Sequence, residues 1–358
     1  ILCYNKTYKG GFGIMDNNLI RCSQISVDCV ANDPVDIRCG GPEYLGFDFI
    51  DAGKYIFFDD QGNFDWTKTE AKLAPKLAKT NKAVIPGFYG SMPNGTIKTF
   101  SRGGSDVTGS IVARATKAKL YENWTDVSGC LICDPRIVNN PEPIKTITYR
   151  ELRELAYMGA TVLHEDAIFP VRAAGIPVNI KNTNQPEDRG TMIVSESAEH
   201  CDHIITGIAG KKGMSVINIE KDKMNSEIGF GKNVLRALEK SNVSFEHMPS
   251  GVDTMSVVIA TEALAGKETA IIDEIKSRVH PDQIYIESNL ALIAVVGRGM
   301  KSARGTAAIL FSALADARVN IKMIDQGSSE LNIIVGVEEE DFEVAIKAIY
   351  KRFIGINQ

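Results

Sequence analysis

The sequence predicts an α/β chain: a largely parallel sheet covered by helices on both faces, then two copies of a small βαββαβ module. Three observations lead there. Strand and helix candidates alternate from Phe47 to Ile180, as they do when helical crossovers join parallel strands. Glycine turns close two neighbouring strand candidates, at Pro86-Gly87 and at Gly103-Gly104. Further on the chain repeats itself, with Val243 and Val319 in matching places 76 residues apart, each 14 residues before a matching strand position, Val257 and Ile333. That period suits a whole small domain rather than a solenoid unit.

Phe47–Ile50 and Tyr55–Phe58 are short apolar strand candidates. A helix is expected from Thr67 to Lys79, kinked or shortened by Pro75. Ala83–Ile85 reads as a buried strand stopped by Pro86-Gly87. Val107, Ile111, Val112 and Ala115 recur at helical spacing behind Ser101–Asp106, so a helix starts at the glycines. Lys119–Trp124 is the next strand. Thr148 and Glu151 form a capping box ahead of Leu152, Leu155 and Ala156. A helix from Thr161 ends at Gly175, before a strand at Ile176–Ile180. Ser195–Asp202 is a polar linker.

The first module copy runs through strand Ser215–Ile219, helix Gly231–Ser241, strands Val243–Met248 and Met255–Ile259, and helix Ala270–Val279. The second runs through strand Leu292–Val296, helix Gly305–Ala317, strands Val319–Ile324 and Leu331–Val337, and helix Glu340–Tyr350. This is the split-βαβ, ferredoxin-like plan.

Composition narrows function by exclusion. A formal net charge of -5 disfavours non-specific nucleic-acid binding, which needs a basic face. No run of about 18 apolar residues is present, so no membrane span is expected. The start shows no basic segment followed by an apolar core, so the expectation is no secretory signal and a cytoplasmic address. Seven cysteines form neither a disulfide framework nor a repeated zinc spacing. Cys130 and Cys133 make one CxxC, read as small residues in a half-buried hairpin.

The motifs that can carry chemistry cluster at strand ends. In SRGGSD, Gly103 and Gly104 let backbone approach a ligand, and the following helix points its positive end at it. Arg102 offers a planar fork for a carboxylate or phosphate. Asp106 could hold a magnesium ion that bridges phosphates. An ordinary strand-to-helix turn with an acidic cap would read the same. A second glycine turn, Ile85–Gly90, at a neighbouring strand end favours a ligand crevice. Thr125-Asp126 follows a strand and could hold ribose or adenine edges, and Asp134-Pro135-Arg136 adds a fixed turn and a cation. A hairpin with a surface arginine is the plain alternative. His164, between apolar residues, reads as packed rather than catalytic.

FSRGGSDVTGS, YENWTDVSG with DPRIV, ELRELAYMGATVLHEDAIFPV and VNIKMIDQGSSELNIIVGV resemble the aspartate kinases. The resemblance runs from about Tyr44 to Arg352. It implies an αβα sandwich of the amino-acid kinase type followed by two ACT domains, with boundaries at 44–196, 203–282 and 283–358. It implies transfer of the γ-phosphate of Mg-ATP to the side-chain carboxylate of L-aspartate. By position, Arg102 would grip aspartate, and Gly103, Gly104 and Ser105 would line the aspartate and phosphate site. Asp106 would hold magnesium. Thr125, Asp126 and Arg136 would face ATP, with Leu131 where many members have an adenine-stacking tyrosine and Thr161 where many have a lysine. The chemistry is consistent with the absence of a histidine base: a carboxylate is already ionised near neutral pH, so positioning and charge neutralisation suffice.

The family opens on a strand ending in KFGGSS or KFGGTS, and neither is intact here. Lys9-Gly10-Gly11 and Gly41-Pro42-Glu43 are weak echoes, so a damaged or incomplete amino lobe is expected over residues 1–43, with Lys9 as a weak candidate for the phosphate lysine. The resemblance further implies a homodimer or higher oligomer through the ACT pair and inhibition by lysine or threonine. The matching effector site would comprise Met224, Asn225, Ser226, Ile228 and Gly229 with Phe245, Glu246 and Ser250. The alternative is a catalytically weak chain that dimerises and binds amino acids. A glutamate or acetylglutamate kinase fits less well, for want of the ACT tail.

Overall fold

The computed structural model describes residues 2–6, 19–25, 47–100, 103–160, 165–196 and 203–355. These fall into two compact units. The first is Ile1–Ile132, Glu142–Ala156 and Thr161–Glu199; the second is Cys133–Pro141, Tyr157–Ala160 and His200–Gln358.

In the first unit the strands are β1 (Leu2–Lys6), β2 (Leu19–Ile25), β3 (Asp48–Phe49), β4 (Ala83–Pro86), β5 (Tyr89–Ser91), β6 (Ile97–Thr99), β7 (Leu120–Thr125), β8 (Thr146–Thr148), β9 (Val178–Asn182) and β10 (Thr191–Val194). The helices are α1 (Ala52–Tyr55), α2 (Trp66–Leu77), α3 (Gly104–Ala115), α4 (Tyr149–Tyr157) and α5 (Glu165–Ala173). Eight strands form one sheet in the order β3-β4-β1-β2-β7-β9-β10-β8, parallel except for the β9–β10 pair. The largely parallel sheet expected from the alternation is present. The segment that read without periodicity supplies β1 and β2, which lie between β4 and β7. The Lys9-Gly10-Gly11 and Gly41-Pro42-Glu43 echoes lie outside the described residues, as do His164 and most of the Ser195–Asp202 linker.

Local chemistry accounts for several element ends. Pro86 closes β4, and Pro75 sits inside α2 two residues before its end at Leu77. The capping box is reciprocal. The Thr148 backbone N–H and hydroxyl both donate to Glu151 Oε2, at 2.9 and 2.7 Å, and Glu151 N–H donates to Thr148 Oγ1 at 3.3 Å. Behind α5, Ile176 N–H reaches back to Val171 O at 3.0 Å, a Schellman closure around left-handed Gly175. Tyr55–Phe58 is not the strand expected. Asp51 Oδ1 accepts from Gly53 N–H at 2.9 Å and starts α1 over Ala52–Tyr55, leaving Phe57 and Phe58 with single bridges to Ser91 and Phe64. A local side-chain cap outcompetes the β pattern there. Cys130 and Cys133 are each free and fully buried, deeper than the half-buried hairpin expected. Burial pushes their thiols up to about 12 and about 11.

The second unit holds β11 (Gly207–Glu220), α6 (Phe230–Lys240), β12 (Thr254–Ala260), α7 (Thr261–Leu264), α8 (Glu268–Val279), β13 (Gln283–Val296), α9 (Thr306–Asp316), β14 (Met323–Asp325), β15 (Asn332–Glu338) and α10 (Phe342–Phe353). Its sheet runs β12-β11-β13-β15-β14. The repeat extends to backbone detail. Gly229 and Gly305 cap α6 and α9 in the same left-handed conformation, φ 87° in both. Past the helices, Asn242 (φ 51°) and Arg318 (φ 57°) turn the chain, and Val243 and Val319 N–H groups return to Leu238 and Leu314 carbonyls, 3.0 Å each. The expected strands at Val243–Met248 and Val319–Ile324 shrink to isolated bridges of His247 and Ser250 and to β14.

The two modules are not consecutive blocks of chain. β11 pairs with β12 through Met214–Glu220, and with β13 from Gly207 onward; β13 pairs with β15 through Leu290–Val296. The amino half of β11 therefore joins the second module's strands, and the amino half of β13 joins the first's. The junction expected between residues 282 and 283 falls at the start of a strand that serves both. Among the described residues no helix is long and apolar enough to cross a membrane.

Candidate active site

Gly103 precedes α3 at φ 56° and ψ 27°, and no side chain caps the helix. The first turn of α3 stands at the positive end of the helix dipole, which favours an anion there. α3 lies over β1, β2 and β7 and packs against α2 and α5. Packing holds it on nearly every side. Gly104, Ser105, Val107, Thr108, Ser110 and Ile111 are all buried, Ser110 Oγ accepts from Val171 N–H at 3.2 Å, and the Arg114 guanidinium lies 3.9 Å over the Trp66 ring.

Asp106, in that first turn, faces β7. Asn123 Nδ2 donates to Asp106 Oδ1 at 3.0 Å, and the Tyr121 hydroxyl donates to the Asp106 backbone carbonyl at 3.2 Å. Burial raises the Asp106 pKa, and the Asn123 hydrogen bond opposes that only in part. Among the described residues no cation pairs with this carboxylate. A buried acid with that deficit suits a divalent cation, which would favour the ionised form and take up the remaining oxygen.

Side chains two apart on a strand share a face, so Thr125 stands on the Asn123 face, roughly 7 Å nearer the carboxyl end of β7. There Thr125 Oγ1 donates to Asp126 Oδ1 at 3.1 Å, and Thr183 donates to the Thr125 carbonyl through N–H and hydroxyl, at 2.8 and 3.0 Å. Ser128 donates to Asp188 Oδ2 at 2.5 Å and accepts from Asn182 Nδ2 at 2.9 Å. The structure thus brings Asp106, Thr125 and Asp126 to one end of one strand. Arg102 and Thr161 lie outside the described residues. Leu131 is partly exposed and bridges Pro143. Arg136, in the second unit, is 85% exposed and forms a two-pronged pair with Asp134, its Nε 3.0 Å from both carboxylate oxygens. That hydrogen bond lowers the Asp134 pKa and raises that of Arg136. An exposed pair of this kind is weak enough to exchange for a phosphate.

Asn123, Tyr121, Thr183 and Ser128 were not foreseen. The signal for Asn123 was a polar residue inside a strand of a sheet expected to be covered on both faces, where a buried polar group demands a partner.

At the effector candidates, Met224 is core: it is buried with Phe230, Val234 and Met255. Ser226 is exposed and donates to Asn225 Oδ1 at 3.2 Å, Ile228 is fully exposed, and Phe245 is 41% exposed. Glu246 is already engaged by Lys211 Nζ at 2.6 Å. Ser250 Oγ donates to Met248 O at 3.3 Å.

Residues 49–182 match the amino acid kinase family, and residues 293–353 match an ACT domain. The chain is 44% identical over 305 residues to aspartokinase 3 of Bacillus subtilis, covering 85% of this chain and 67% of that protein. The chain belongs to the aspartokinase family. As an aspartokinase it is an ATP-dependent kinase with a regulatory ACT region. The fold of this aspartokinase also matches solved structures. Clostridium acetobutylicum aspartate kinase is 59% identical, with a TM-score of 0.81 over 87% of this chain and 71% of that one. E. coli aspartokinase III, solved with aspartate and ADP, is 25% identical, with a TM-score of 0.67 over 85% and 69%. This aspartokinase chain therefore spans about two thirds of the length of these relatives.

Proposed function

We propose that the chain binds Mg-ATP and L-aspartate at the mouth of β7 and α3 and forms 4-phospho-L-aspartate and ADP. A side-chain carboxylate oxygen of aspartate attacks the γ-phosphorus, and the bond to the ADP oxygen breaks; no proton need be removed. Arg102 grips the substrate, and the N–H groups of Gly103–Ser105 face the charge that develops on the phosphoryl oxygens. Asp106 holds the magnesium, which when bound neutralises phosphate charge. Thr125, Asp126, Leu131 and Thr161 serve the nucleotide. The Asn123–Asp106 hydrogen bond carries this reading, because it ties the metal candidate to the strand whose end bears the nucleotide candidates.

The ACT pair joins two copies and takes lysine or threonine at Ser226, Gly229, Phe245 and Ser250, lowering activity through a coupling free energy of about 1–3 kcal/mol. The exposed side chain of Ser226, bonded among the described residues only to its neighbour Asn225, makes it the better test residue, since Met224 is core and Glu246 is paired.

The test is ADP release coupled to a reporter, with L-aspartate, Mg-ATP and an Asp106→Ala control, each with and without lysine or threonine. Aspartate-dependent release that falls at least about 100-fold in the control supports the kinase, and inhibition weakened in Ser226→Ala supports the effector site. No release, with an effector-induced thermal shift retained, would leave a regulatory chain instead.

A further inference from the structure

The repeat that relates the two modules also relates a set of charges. A shift of 76 residues carries Lys211 to Glu287 and Glu246 to Lys322. Lys211 Nζ donates to Glu246 at 2.6 Å, and Lys322 Nζ donates to Glu287 at 2.6 Å and lies 2.8 Å from Glu338. The same two positions are thus paired in each copy, with the signs exchanged. Both pairs cross between modules. Lys211 lies in the half of β11 that joins the second module, whereas Glu246 flanks β12 of the first, its N–H donating to Val258 O at 2.8 Å. Glu287 lies in the half of β13 that joins the first module, whereas Lys322 flanks β15 of the second, its N–H donating to Gly336 O at 2.8 Å.

The backbone repeats as well. β11 carries one extra residue between Lys211 and Met214, and β13 carries one between Glu287 and Leu290. Gly213 and Asn289, again 76 residues apart, take the left-handed conformation there, with φ 75° and 62°. A bulge reverses the facing of the side chains beyond it. Gly210, backed by Phe342 of α10, and Ile217, packed with Phe230 of α6, therefore lie on one face although they are seven positions apart. The two bulges also bend both shared strands at one level.

The outer edges of the sheet meet. His247 bridges Val258 on the free side of β12, and Asp325 lies on β14, at the opposite end of the strand order. His247 Nδ1 is nevertheless 2.8 Å from Asp325 Oδ2. Among the described residues His247 Nε2 is buried with no partner, so Asp325 is the polar anchor of the ring.

We propose that the two modules form one hinged and latched sheet. The bulges at Gly213 and Asn289 are the hinge, and the His247–Asp325 contact with the two crossing ion pairs is the latch. The exchanged signs decide which edge segment closes on which shared strand, since the opposite assignment sets Lys211 against Lys322 and Glu287 against Glu246. The latch makes the order of each edge depend on the other. A ligand that took Glu246 from Lys211 would act on both modules at once.

Asp325→Asn tests this in the full chain. Asp325 is 43% exposed, so the variant is expected to fold, which circular dichroism checks. Hydrogen exchange is then read amide by amide. The Glu246 and Val258 amides, on the edge opposite Asp325, should exchange at least about tenfold faster, with the Ile217 and Ile219 amides inside β11 changed less than about twofold. Acceleration confined to β14 and β15, or none at all, overturns the latch. Lys211→Glu, Glu246→Lys and the double variant test the signs. Each single variant should speed exchange at both edges about tenfold, and the double variant, which carries the polarity of the second copy, should return to within about threefold of wild type. If a single variant does not fold, recovery of the fold in the double variant supports the same reading. A double variant that exchanges as fast as the worse single one, or that stays unfolded, overturns it.

Discussion

Asn123 donates to Asp106 across the gap between β7 and α3, at 3.0 Å, and supplies the one hydrogen bond that the Asp106 carboxylate receives among the described residues. An amide can steady a buried carboxylate but cannot neutralise it. A cation at this carboxylate would favour its ionised form.

A test of that deficit is Asp106→Asn. The folded-state pKa of Asp106 is raised by burial above the ordinary 3.8. Its stabilising effect is thus complete below the ordinary value and is lost as pH rises through the folded one. The variant should melt roughly a few degrees above wild type at pH 7 without ligand, with the gap closing below about pH 4. A lower melting temperature at pH 7 would contradict the deficit.

Glu246 carries the opposite sign. Burial raises its pKa, but the hydrogen bonds from Lys211 and Tyr157, with the charges of Lys211 and His247, together outweigh burial, and the net shift is downward from 4.5. The pair stabilises above the ordinary value, and its contribution is lost as pH falls through the lower folded one. Glu246→Gln should melt below wild type at pH 7 and match it once the pH is well below about 4. A gap that persists in acid would assign the effect to packing rather than charge.

The module repeat makes an energetic prediction. Val243 and Val319 are both 7% exposed and close the same turn on equivalent helices. Val243→Ala and Val319→Ala should each cost about 2 kcal/mol, measured by urea unfolding. Costs that differ by more than about 1 kcal/mol would show that the two positions are not energetically equivalent, whatever their backbone likeness.

Much of the site was legible because its signals are local. A glycine pair before a helical stripe marks the start of α3, and Thr148 with Glu151 marks that of α4, since capping acts within four residues. The 76-residue period survived because it records packing needs repeated in each module. Asn123 was missed because its partner lies 17 residues away in sequence, and spacing along a strand does not encode which helix will cross it. The pairing of Glu246 with Lys211 was hidden for the same reason, 35 residues apart.

By itself, the sequence determined most of the element types, the strand-to-helix turn that bears Gly103–Asp106, and the doubled module, all set by periodicity, caps and turn residues within a few positions. Only the tertiary structure decided that β1 and β2 lie inside the parallel sheet, and that β11 and β13 each serve both modules. The physical reason is that strand pairing and close packing are contacts between distant residues. Their register depends on the hydrogen bonds and volumes of both partners, and no local window contains both.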